Sequence, residues 1–441
     1  MTEVAVSEEV WTRLSELTAK SVEAGAALFL HRDRAAERFL VRSVVIAQED
    51  DCLGASSTAF TYAPQFLSRV TRIARDQGFH LALFHTHPSG YPDFSDVDDE
   101  TEARLLTYMR TRLPDRYVFS LMMCDQQLRA RRLGSLEGTD AVRIGPRVHR
   151  FAATAPSEMQ DEAFDRQVRA FGAEGQATLR RMTVAVVGLG GTGSLVAQQL
   201  AHLGVGRLTF IDNDVIEVTN LNRVVGATPE SIGTSKVHVA QTLVQRILPE
   251  TTVLALEASV MTPQARDLLC QADCVMVCTD SHASRAFVNE LAYQYLVPVI
   301  DMGVSISAND GQITAVAGRT QMVGPGLPCL WCTNAISTRA VREELQSPAE
   351  RATDPYFQGQ GVCQPAVISL NSTMASLAVT MLLGVFTPVP IEPRHQAYDA
   401  LRGTVRAFAF RGQPGCGVCG YDGVTALGDS RPLSLLQGAR A

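Results

Sequence analysis

One stretch of the sequence restricts the folds open to this chain more than any other. Residues 183–187 form a short apolar run rich in valine, and glycines follow at Gly188, Gly190 and Gly193. Between a buried strand and a helix, the first glycine turns the chain, the second lets the backbone approach a phosphate, and the third lets the helix pack closely. Strand-like and helix-like segments alternate along this part of the chain. Together they predict an α/β domain with a mostly parallel sheet that binds a nucleotide.

On its own, the glycine-rich turn is also typical of dehydrogenases that use nicotinamide or flavin cofactors. Asp212 and Asp214 end the next predicted strand, where the ribose of either kind of nucleotide would lie. The residues that follow disfavour a dehydrogenase. They present, in order, an Asn-Leu-x-Arg run, a Gly-x-x-Lys run and a Thr-Asp pair, at Asn220–Arg223, Gly233–Lys236 and Thr279–Asp280.

These motifs together resemble the ThiF-type family of ubiquitin-activating and sulfur-carrier-adenylating enzymes, over roughly residues 160 to 420. The resemblance implies a Rossmann-like domain that uses ATP and magnesium to adenylate the C-terminal carboxylate of a partner protein. That partner would be a ubiquitin-like or sulfur-carrier protein ending in glycine. The nucleotide-binding residues implied by the resemblance are Gly188, Gly190, Gly191, Gly193, Asp212, Asp214, Asn220, Arg223, Lys236 and Asp280.

The resemblance also assigns catalytic roles. Arg223 and Lys236 would neutralise the phosphates while a carboxylate attacks the α-phosphate and pyrophosphate leaves. Asn220 would contact the phosphates, although a lone asparagine there is usually a turn residue. Asp280 would hold magnesium; taken alone, it would equally serve as a helix cap. Arg166, in an aromatic-x-Arg-Gln run, would reach the site from a second subunit and implies a homodimer, although a lone helical arginine is usually solvated.

Two cysteine pairs stand out among the ten cysteines of the chain. Cys329 and Cys332 form one Cys-x-x-Cys run, and Cys416 and Cys419 form the other. In a cytosolic chain of this size, such spacing favours metal binding over disulfides, and four thiolates match a closed tetrahedral zinc site. We therefore predict a structural zinc ion that ties the end of the chain to an earlier loop. A redox-active pair is the alternative.

The acceptor thiol of the family has no direct counterpart here. Many ThiF-type relatives carry a cysteine, a few residues before a Gly-Val-x-x-Pro turn, that takes the activated carrier as a thioester or persulfide. In this chain the turn is Gly361–Pro365, and Phe357 lies near the expected cysteine position. Cys363 is the candidate thiol, because a nearby helix start would lower its pKa. If Cys363 is only a small buried residue, the product stops at the acyl-adenylate or a partner supplies the thiol.

The N-terminal part carries a second pattern. His85 and His87 lie two residues apart at the end of a predicted strand, so they share a face. Ser95 and Asp98 share a face at the start of a predicted helix. Two imidazoles and a carboxylate are the ligand set of a catalytic zinc ion with an open position for water. A helix capping box is the alternative interpretation of the Ser-x-x-Asp run.

Seven residues separate His87 from Ser95, and this spacing resembles that of the JAMM/MPN metalloproteases, which include deubiquitinases. The resemblance implies an α/β metalloprotease domain in which His85, His87 and Asp98 bind zinc. Ser95 would steady the oxyanion, and Glu23, before a run of small residues, would exchange protons with the zinc-bound water.

We therefore expect a JAMM-type domain over residues 1–135, a linker over 136–157, and a ThiF-type domain over 158–441. The first domain would trim a ubiquitin-like protein or release it from conjugates, and the second would activate it. Conjugation would add a conjugating enzyme as a partner. Activation and release of a sulfur carrier for cofactor or metabolite biosynthesis is one alternative, and a non-catalytic scaffold that binds ubiquitin-like proteins is another.

Composition argues against other classes of protein. A net charge of −7 disfavours a general binder of nucleic acid or anionic membranes. The N-terminus lacks a secretory signal, and the apolar stretch Leu377–Phe386 is short of the roughly 20 residues of a membrane span. A cytoplasmic enzyme is expected. Among the 39 lysine and arginine residues, only Lys20 and Lys236 are lysines.

Overall fold

The computed structural model describes residues 2–153, 162–309, 312–347, 350 and 365–437. The chain divides into two compact units. The first comprises residues 1–157, 294–296 and 425–431, and the second comprises residues 158–293, 297–424 and 432–441.

Within residues 2–153, the first unit combines ten strands with three helices. Its strands are β1 (Glu3–Ser7), β2 (Gly25–Asp33), β3 (Arg38–Ile46), β4 (Cys52–Ala55), β5 (Phe60–Tyr62), β6 (His80–Thr86), β7 (Val118–Cys124), β8 (Gln127–Arg132), β9 (Gly138–Ile144) and β10 (Val148–Phe151). Its helices are α1 (Glu8–Ser15), α2 (Pro64–Gln77) and α3 (Asp96–Arg112).

Eight of these strands form one mixed sheet in the order β1-β3-β2-β6-β7-β8-β9-β10. β1 also pairs with β9, so the sheet closes on itself. Alternate residues of the central strand β2 enter different cores: Leu28 packs in the cluster that contains Trp11 of α1, and Phe29 packs in the cluster that contains Phe66 of α2 and Met109 of α3. Burial of each such side chain contributes about 1.5–3 kcal/mol, so both faces of the sheet stabilise the position of β6.

The predicted linker over 136–157 is wrong for most of its length, because β9 and β10 occupy residues 138–151. β9 pairs in parallel with β1, and its residues Val142 and Ile144 are buried. Composition suggested a linker because these short strands carry few apolar residues and find their partner near the N-terminus. Residues 154–157 lie outside the described residues.

The second unit contains eight strands and seven helices among its described residues. Its strands are β11 (Thr183–Val187), β12 (Arg207–Ile211), β13 (Thr252–Leu256), β14 (Cys274–Val277), β15 (Val299–Asn309), β16 (Gln312–Val323), β17 (His395–Asp399) and β18 (Thr404–Ala407). Its helices are α4 (Asp165–Arg181), α5 (Gly191–His202), α6 (Lys236–Ile247), α7 (Pro263–Cys270), α8 (His282–Gln294), α9 (Thr338–Leu345) and α10 (Ile368–Phe386).

The sheet of the second unit runs β13-β12-β11-β14-β15-β16-β17-β18. The four pairings from β13 to β15 are parallel, as predicted, and the three from β15 to β18 are antiparallel. From β11 the chain adds β12 and β13 on one side of the sheet and then β14 and β15 on the other side, so the strand order reverses at β11. In such sheets, ligands bind where the strand order reverses, beyond the carboxyl ends of the strands. This crevice follows Val187, the last residue of β11.

Helix α10 is longer than the apolar stretch singled out in the sequence. It has 19 residues, and an 18-residue window with a mean hydropathy of 1.5 is 50% buried. By length and composition alone it could cross a membrane, a test that the core helix of a soluble protein also passes. Here α10 packs against α5, β15 and β16.

Candidate functional site

Three segments of the first unit meet at the carboxyl end of β6. His85 is the last but one residue of β6, and His87 follows the strand. Gly25 of β2 pairs with His85, which brings Glu23 next to the histidines. Asp98 lies in the first turn of α3. The fold thus brings together residues that are far apart in the sequence.

The two histidines and Asp98 direct polar atoms at one another. The Nε2 atoms of His85 and His87 are 3.1 Å apart, and the oxygens of Asp98 lie 3.2 Å and 3.3 Å from them, respectively. The ligand atoms of a tetrahedral zinc ion, with bonds of about 2.0–2.2 Å, are about 3.3 Å apart. The three side chains therefore fit three positions around a zinc ion, and a carboxylate oxygen of Glu23 also lies within 4.8 Å of the histidine nitrogens.

Neighbouring hydrogen bonds orient the side chains of His87 and Asp98. His87 Nδ1 lies 3.1 Å from the carbonyl oxygen of Tyr91, an acceptor that keeps a hydrogen on Nδ1 and turns Nε2 toward Asp98. Nε2 would bind a metal after losing the hydrogen that it donates to Asp98. The N–H and hydroxyl of Ser95 each donate to Asp98 at 2.7 Å. Although burial opposes ionisation of Asp98, its hydrogen bonds to both histidines and to Ser95 hold the pKa of this carboxyl well below its usual value.

Glu23 is the buried carboxyl of the cluster. It is 3% exposed, and its Oε1 lies 3.8 Å from His87 Nε2. Its Oε2 is also buried and has no hydrogen-bond partner within the described residues. Burial raises the pKa of the Glu23 carboxyl despite the nearby histidines. A carboxyl with a raised pKa and an unused oxygen is suited to exchange a proton with a bound water molecule.

Ser95 is the N-cap of α3. Its hydroxyl oxygen accepts the N–H of Asp98 at 3.3 Å, while Asp98 accepts the N–H of Ser95, so a capping box is present. The same hydroxyl orients Asp98 toward the histidines. The contact of Ser95 with an oxyanion stays a prediction.

In the second unit, the glycine-rich turn has the geometry that its glycines require. Gly188 adopts a φ of +86°, and a Cβ at Gly193 would lie only 1.8 Å from the carbonyl oxygen of Gly188. A Cβ at Gly190, by contrast, would meet no protein atom within 4 Å. This open face at the start of α5 fits a phosphate group of ATP.

Asp212 supports the turn from the end of β12. Its Oδ2 accepts the N–H of Leu189 at 2.6 Å, and its Oδ1 accepts the N–H of Asp214 at 2.8 Å. Burial raises the pKa of Asp212, and these backbone donors favour its ionised form. Both of its oxygens therefore bind backbone, and its predicted contact with ribose stays a prediction.

Asp214 and Lys236 form an ion pair just beyond the same strand. Lys236 Nζ lies 2.7 Å from Asp214 Oδ2, and the backbone N–H of Lys236 donates to the Asp214 carbonyl at 3.0 Å. Since Asp212 binds both Leu189 and Asp214, one series of hydrogen bonds connects the glycine-rich turn to the lysine.

Asn220 and Arg223 belong to a turn that faces the glycine-rich segment. The side-chain oxygen of Asn220 accepts the N–H of Glu217 at 3.2 Å, so any contact with phosphate would use its NH2 group. The stem of Arg223 would lie 3.3 Å from a Cβ at Gly191. Its guanidinium donates to the carbonyl of Thr219. The two residues are thus positioned by their own turn.

Asp280 is exposed in the segment between β14 and α8. The next residues are held by Glu344, which no sequence motif predicts. Glu344 accepts the Ser281 hydroxyl at 2.7 Å and the N–H groups of His282 and Ala283 at 3.0 and 2.9 Å. A carboxylate at a helix N-terminus is electrostatically favourable. No local motif marks Glu344, because its partners lie about sixty positions earlier.

Asn371 of α10 was also not predicted from the sequence. It is 5% exposed, and its Nδ2 would lie 2.3 Å from a Cβ at Gly191. The absence of a side chain at Gly191 thus leaves room for the Asn371 amide where the helix approaches the turn. The sequence offers no signal for this contact, because α10 is far from the turn along the chain.

Two predicted catalytic residues have no described place in this cluster. Arg166 is exposed in the first turn of α4 and makes no hydrogen bond or ion pair with a described residue. Its role in a second subunit stays a prediction. Cys363, with Gly361 and Phe357, lies outside the described residues.

The two Cys-x-x-Cys runs come together in the second unit. The Sγ atoms of Cys329 and Cys416 are 3.6 Å apart, and those of Cys332 and Cys419 are 3.5 Å apart. All four lie within 4.8 Å of one another. Thiolates around zinc, with Zn–S bonds of about 2.3 Å, are about 3.8 Å apart. The four side chains therefore fit a tetrahedral zinc ion.

Comparison with known proteins gives relatives for the second unit. The ThiF family matches residues 164–418. A sulfur carrier protein adenylyltransferase of Thermus thermophilus is 34% identical over 251 residues, which are 56% of this chain and 86% of that protein. The molybdopterin-synthase adenylyltransferase of Escherichia coli is 30% identical over 60% of this chain and 99% of that protein. The SAMP-activating enzyme E1 of Haloferax volcanii is 28% identical over 58% of this chain and 87% of that protein.

The matched region begins C-terminal to the His85 cluster, so the resemblance of the first unit to JAMM metalloproteases stays a prediction. The predicted ThiF-type region, roughly 160 to 420, agrees with the match at 164–418. It contains the glycine-rich turn and the Asp214–Lys236 pair described above. Since the match extends over more than half of the sequence, the chain belongs to the ThiF family.

Proposed function

We propose that this protein uses ATP to adenylate the C-terminal carboxylate of a sulfur-carrier or ubiquitin-like protein. The observation that carries the proposal is the open face at Gly190, joined through Asp212 and Asp214 to the ammonium of Lys236. An open backbone face connected by hydrogen bonds to a fixed cation suits a reaction in which phosphate charge must be stabilised. The names of the three relatives support the same class of substrate.

The reaction requires positioning more than covalent help from the protein. One oxygen of the carrier carboxylate attacks the α-phosphorus of ATP, and the bond to the departing pyrophosphate breaks. Lys236 and Arg223 offset the charge that develops on the phosphates, and the N-terminus of α5 adds its backbone N–H groups. Asp280 is exposed and acidic, as a magnesium ligand should be, and magnesium when bound would neutralise the leaving pyrophosphate.

Activation of a sulfur carrier is favoured over protein conjugation. Two of the three relatives are named for a sulfur carrier or for molybdopterin synthase, and the third is named as an E1. In the sulfur pathway a sulfide-level nucleophile from an external donor attacks the acyl carbon of the adenylate, the acyl–phosphate bond breaks to release AMP, and the carrier ends in a thiocarboxylate. In conjugation an amine takes the acyl group instead. Mass spectrometry of the carrier distinguishes exchange of oxygen for sulfur from an isopeptide adduct.

The test is ATP–pyrophosphate exchange with a carrier protein from the same cells that ends in glycine. Exchange should require the carrier, and Lys236→Ala should lower it at least about 100-fold, since it removes a charge-assisted contact to phosphate. Lys20→Ala is the matched control, because it removes the other lysine of the chain, an exposed one in the first unit. Equal exchange by wild type and Lys236→Ala would refute the proposed role of this site.

A zinc-dependent peptidase in the first unit is the second candidate, on the observation that His85, His87 and Asp98 fit a zinc ion. Zinc, when bound there, would lower the pKa of a water molecule and polarise an amide carbonyl. Glu23 would accept the proton of that water and deliver it to the departing amine. Its buried, unpartnered Oε2 is suited to that exchange.

Two variants test this peptidase. Glu23→Gln should retain zinc and lose cleavage of the carrier from an amide-linked adduct, whereas His85→Ala should lose both. His80→Ala is the control: His80 lies at the other end of β6 and accepts the N–H of Tyr117 at 3.0 Å. A wild-type chain with one bound zinc rather than two would instead support a scaffold without peptidase activity.

A further inference from the structure

Arg131 of β8 is a charged side chain buried beside the candidate zinc ligands. It is 5% exposed, and its Nε and Nη2 donate to Glu102 Oε1 at 3.1 and 2.8 Å. Nη2 also lies 2.7 Å from Asp99 Oδ1. Moving charged groups from water into the protein is costly, and their mutual attraction at best offsets this cost. Added stability is therefore a poor explanation for a buried ion cluster of this kind.

The partners of Arg131 lie on the turn of α3 that carries a zinc ligand. Asp99 directly follows Asp98, and Glu102 lies one helical turn beyond Asp98 on the same face. β8 pairs with β7, and β7 pairs with β6, the strand of His85. Arg131 therefore ties the helix that supplies Asp98 to the sheet that supplies the histidines.

Arg131 also contacts the loop between His87 and Ser95. Its guanidinium carbon lies 3.8 Å from the centroid of the Phe94 ring, and this ring lies 6.0 Å from the ring of His85. Phe94 and Arg131 line a cavity of about 350 Å³, together with Asp99 and Arg129. The cavity would leave the Phe94 ring space to turn. The stacking contact with Arg131 restrains this ring on the side of His85.

We propose that Arg131 is a positioning residue for the metal site of the first unit. It holds Asp98 and His85 at the spacing that zinc requires, through α3 and through Phe94, without itself binding the metal. The proposal rests on the zinc-dependent function proposed above.

The test measures zinc affinity in the full-length chain. Arg131→Met keeps much of the apolar stem and removes the guanidinium. Removal of a group that supports metal ligands typically costs about 10- to 100-fold in metal affinity. We expect such a loss at the histidine site by chelator competition, together with a changed visible spectrum when cobalt replaces zinc. Arg38→Met is the matched control: Arg38 is also buried, pairs with Glu3 at 2.7 Å, and lies where β3 pairs with the far end of β2.

The double variant Arg131→Met with Glu102→Leu separates positioning from stability. It removes the buried carboxylate that Arg131→Met leaves without a counterion, although it also removes the acceptor of the Gly134 N–H at 3.0 Å. It should therefore recover part of the lost Tm without recovering zinc affinity. Recovery of both, or wild-type affinity in folded Arg131→Met, would overturn the positioning role. A wild-type chain that binds zinc only through its cysteines would instead contradict the zinc site itself.

Discussion

The ammonium of Lys236 lies 2.7 Å from the carboxylate of Asp214, and the backbone N–H of Lys236 binds the carbonyl of the same aspartate. The lysine side chain is 13% exposed, whereas that of Asp214 is 60% exposed. The amine is therefore held in place before any ligand arrives, by a partner that can turn toward solvent. In a chain that carries nearly all its positive charge as arginine, this position retains a lysine.

Lys236→Arg should lower kcat/KM for ATP by about tenfold or more, because a planar guanidinium cannot replace a compact ammonium in a site of fixed size. Lys20→Arg should leave it unchanged. Initial rates of pyrophosphate release at varied ATP concentration provide the measurement. Wild-type kinetics in Lys236→Arg would show that any positive charge suffices at this position.

Gly190→Ala should weaken ATP binding without destabilising the second unit. The φ of −72° at Gly190 suits alanine, and the new methyl group would occupy only the space expected for phosphate. Gly193→Ala is the contrasting variant: its Cβ would clash with a carbonyl oxygen, at a cost of at least about 1–3 kcal/mol. Calorimetric titration with ATP and the Tm of both variants check the pair. Unchanged ATP affinity in Gly190→Ala would contradict a phosphate at that face.

Cys416→Ser should remove one zinc ion per chain and lower the Tm of the second unit, because a structural zinc contributes directly to folding. Cys52→Ser, in the first unit and away from the four-cysteine cluster, should change neither quantity. Metal content by mass spectrometry and thermal unfolding are the measurements. Unaltered zinc content in Cys416→Ser would argue for a redox pair instead.

Glu344→Ala should speed the exchange of the amide hydrogens of His282 and Ala283, since it removes their acceptor. Glu343→Ala, which breaks the ion pair with Arg339 at 2.7 Å but leaves Glu344 in place, should not. Hydrogen exchange followed by mass spectrometry resolves this segment. Equal exchange in both variants would mean that Glu344 does not hold the start of α8.

Asp33→Asn should stabilise the first unit at neutral pH. Burial raises the pKa of Asp33 from 3.8 to about 6, so the folded state binds its proton more tightly than the unfolded state. The contribution of this carboxyl to stability is therefore largest below about pH 4 and is lost as the pH rises through 6, by at most about 3 kcal/mol. The asparagine variant should lack that loss.

Urea unfolding between pH 4 and pH 7.5 measures this difference. A Trp331→Phe background leaves Trp11 as the only tryptophan, so its fluorescence reports on the first unit alone. Parallel pH profiles for the aspartate and the asparagine would contradict the prediction.

Residues whose type is required by the local backbone conformation were predictable from the sequence. Gly188 and Gly193 are required by a positive φ and by a close backbone approach within a few residues, so their spacing alone reveals them. Asn371 and Arg131 were not predictable, because each acts on a segment distant along the chain. β9 was misread as a linker for the same reason, since its partner β1 lies near the N-terminus.

The sequence by itself determined the strand, turn and helix around Gly188, the two cysteine pairs, and the histidine and aspartate spacing that resembles a zinc site. Only the tertiary structure decided that His85, His87 and Asp98 meet within about 3.3 Å, and that Asp212 uses both oxygens on backbone N–H groups. The physical reason is range. Backbone conformation constrains residue types over a few positions, whereas contacts across a sheet depend on a register that the packing of the whole unit selects.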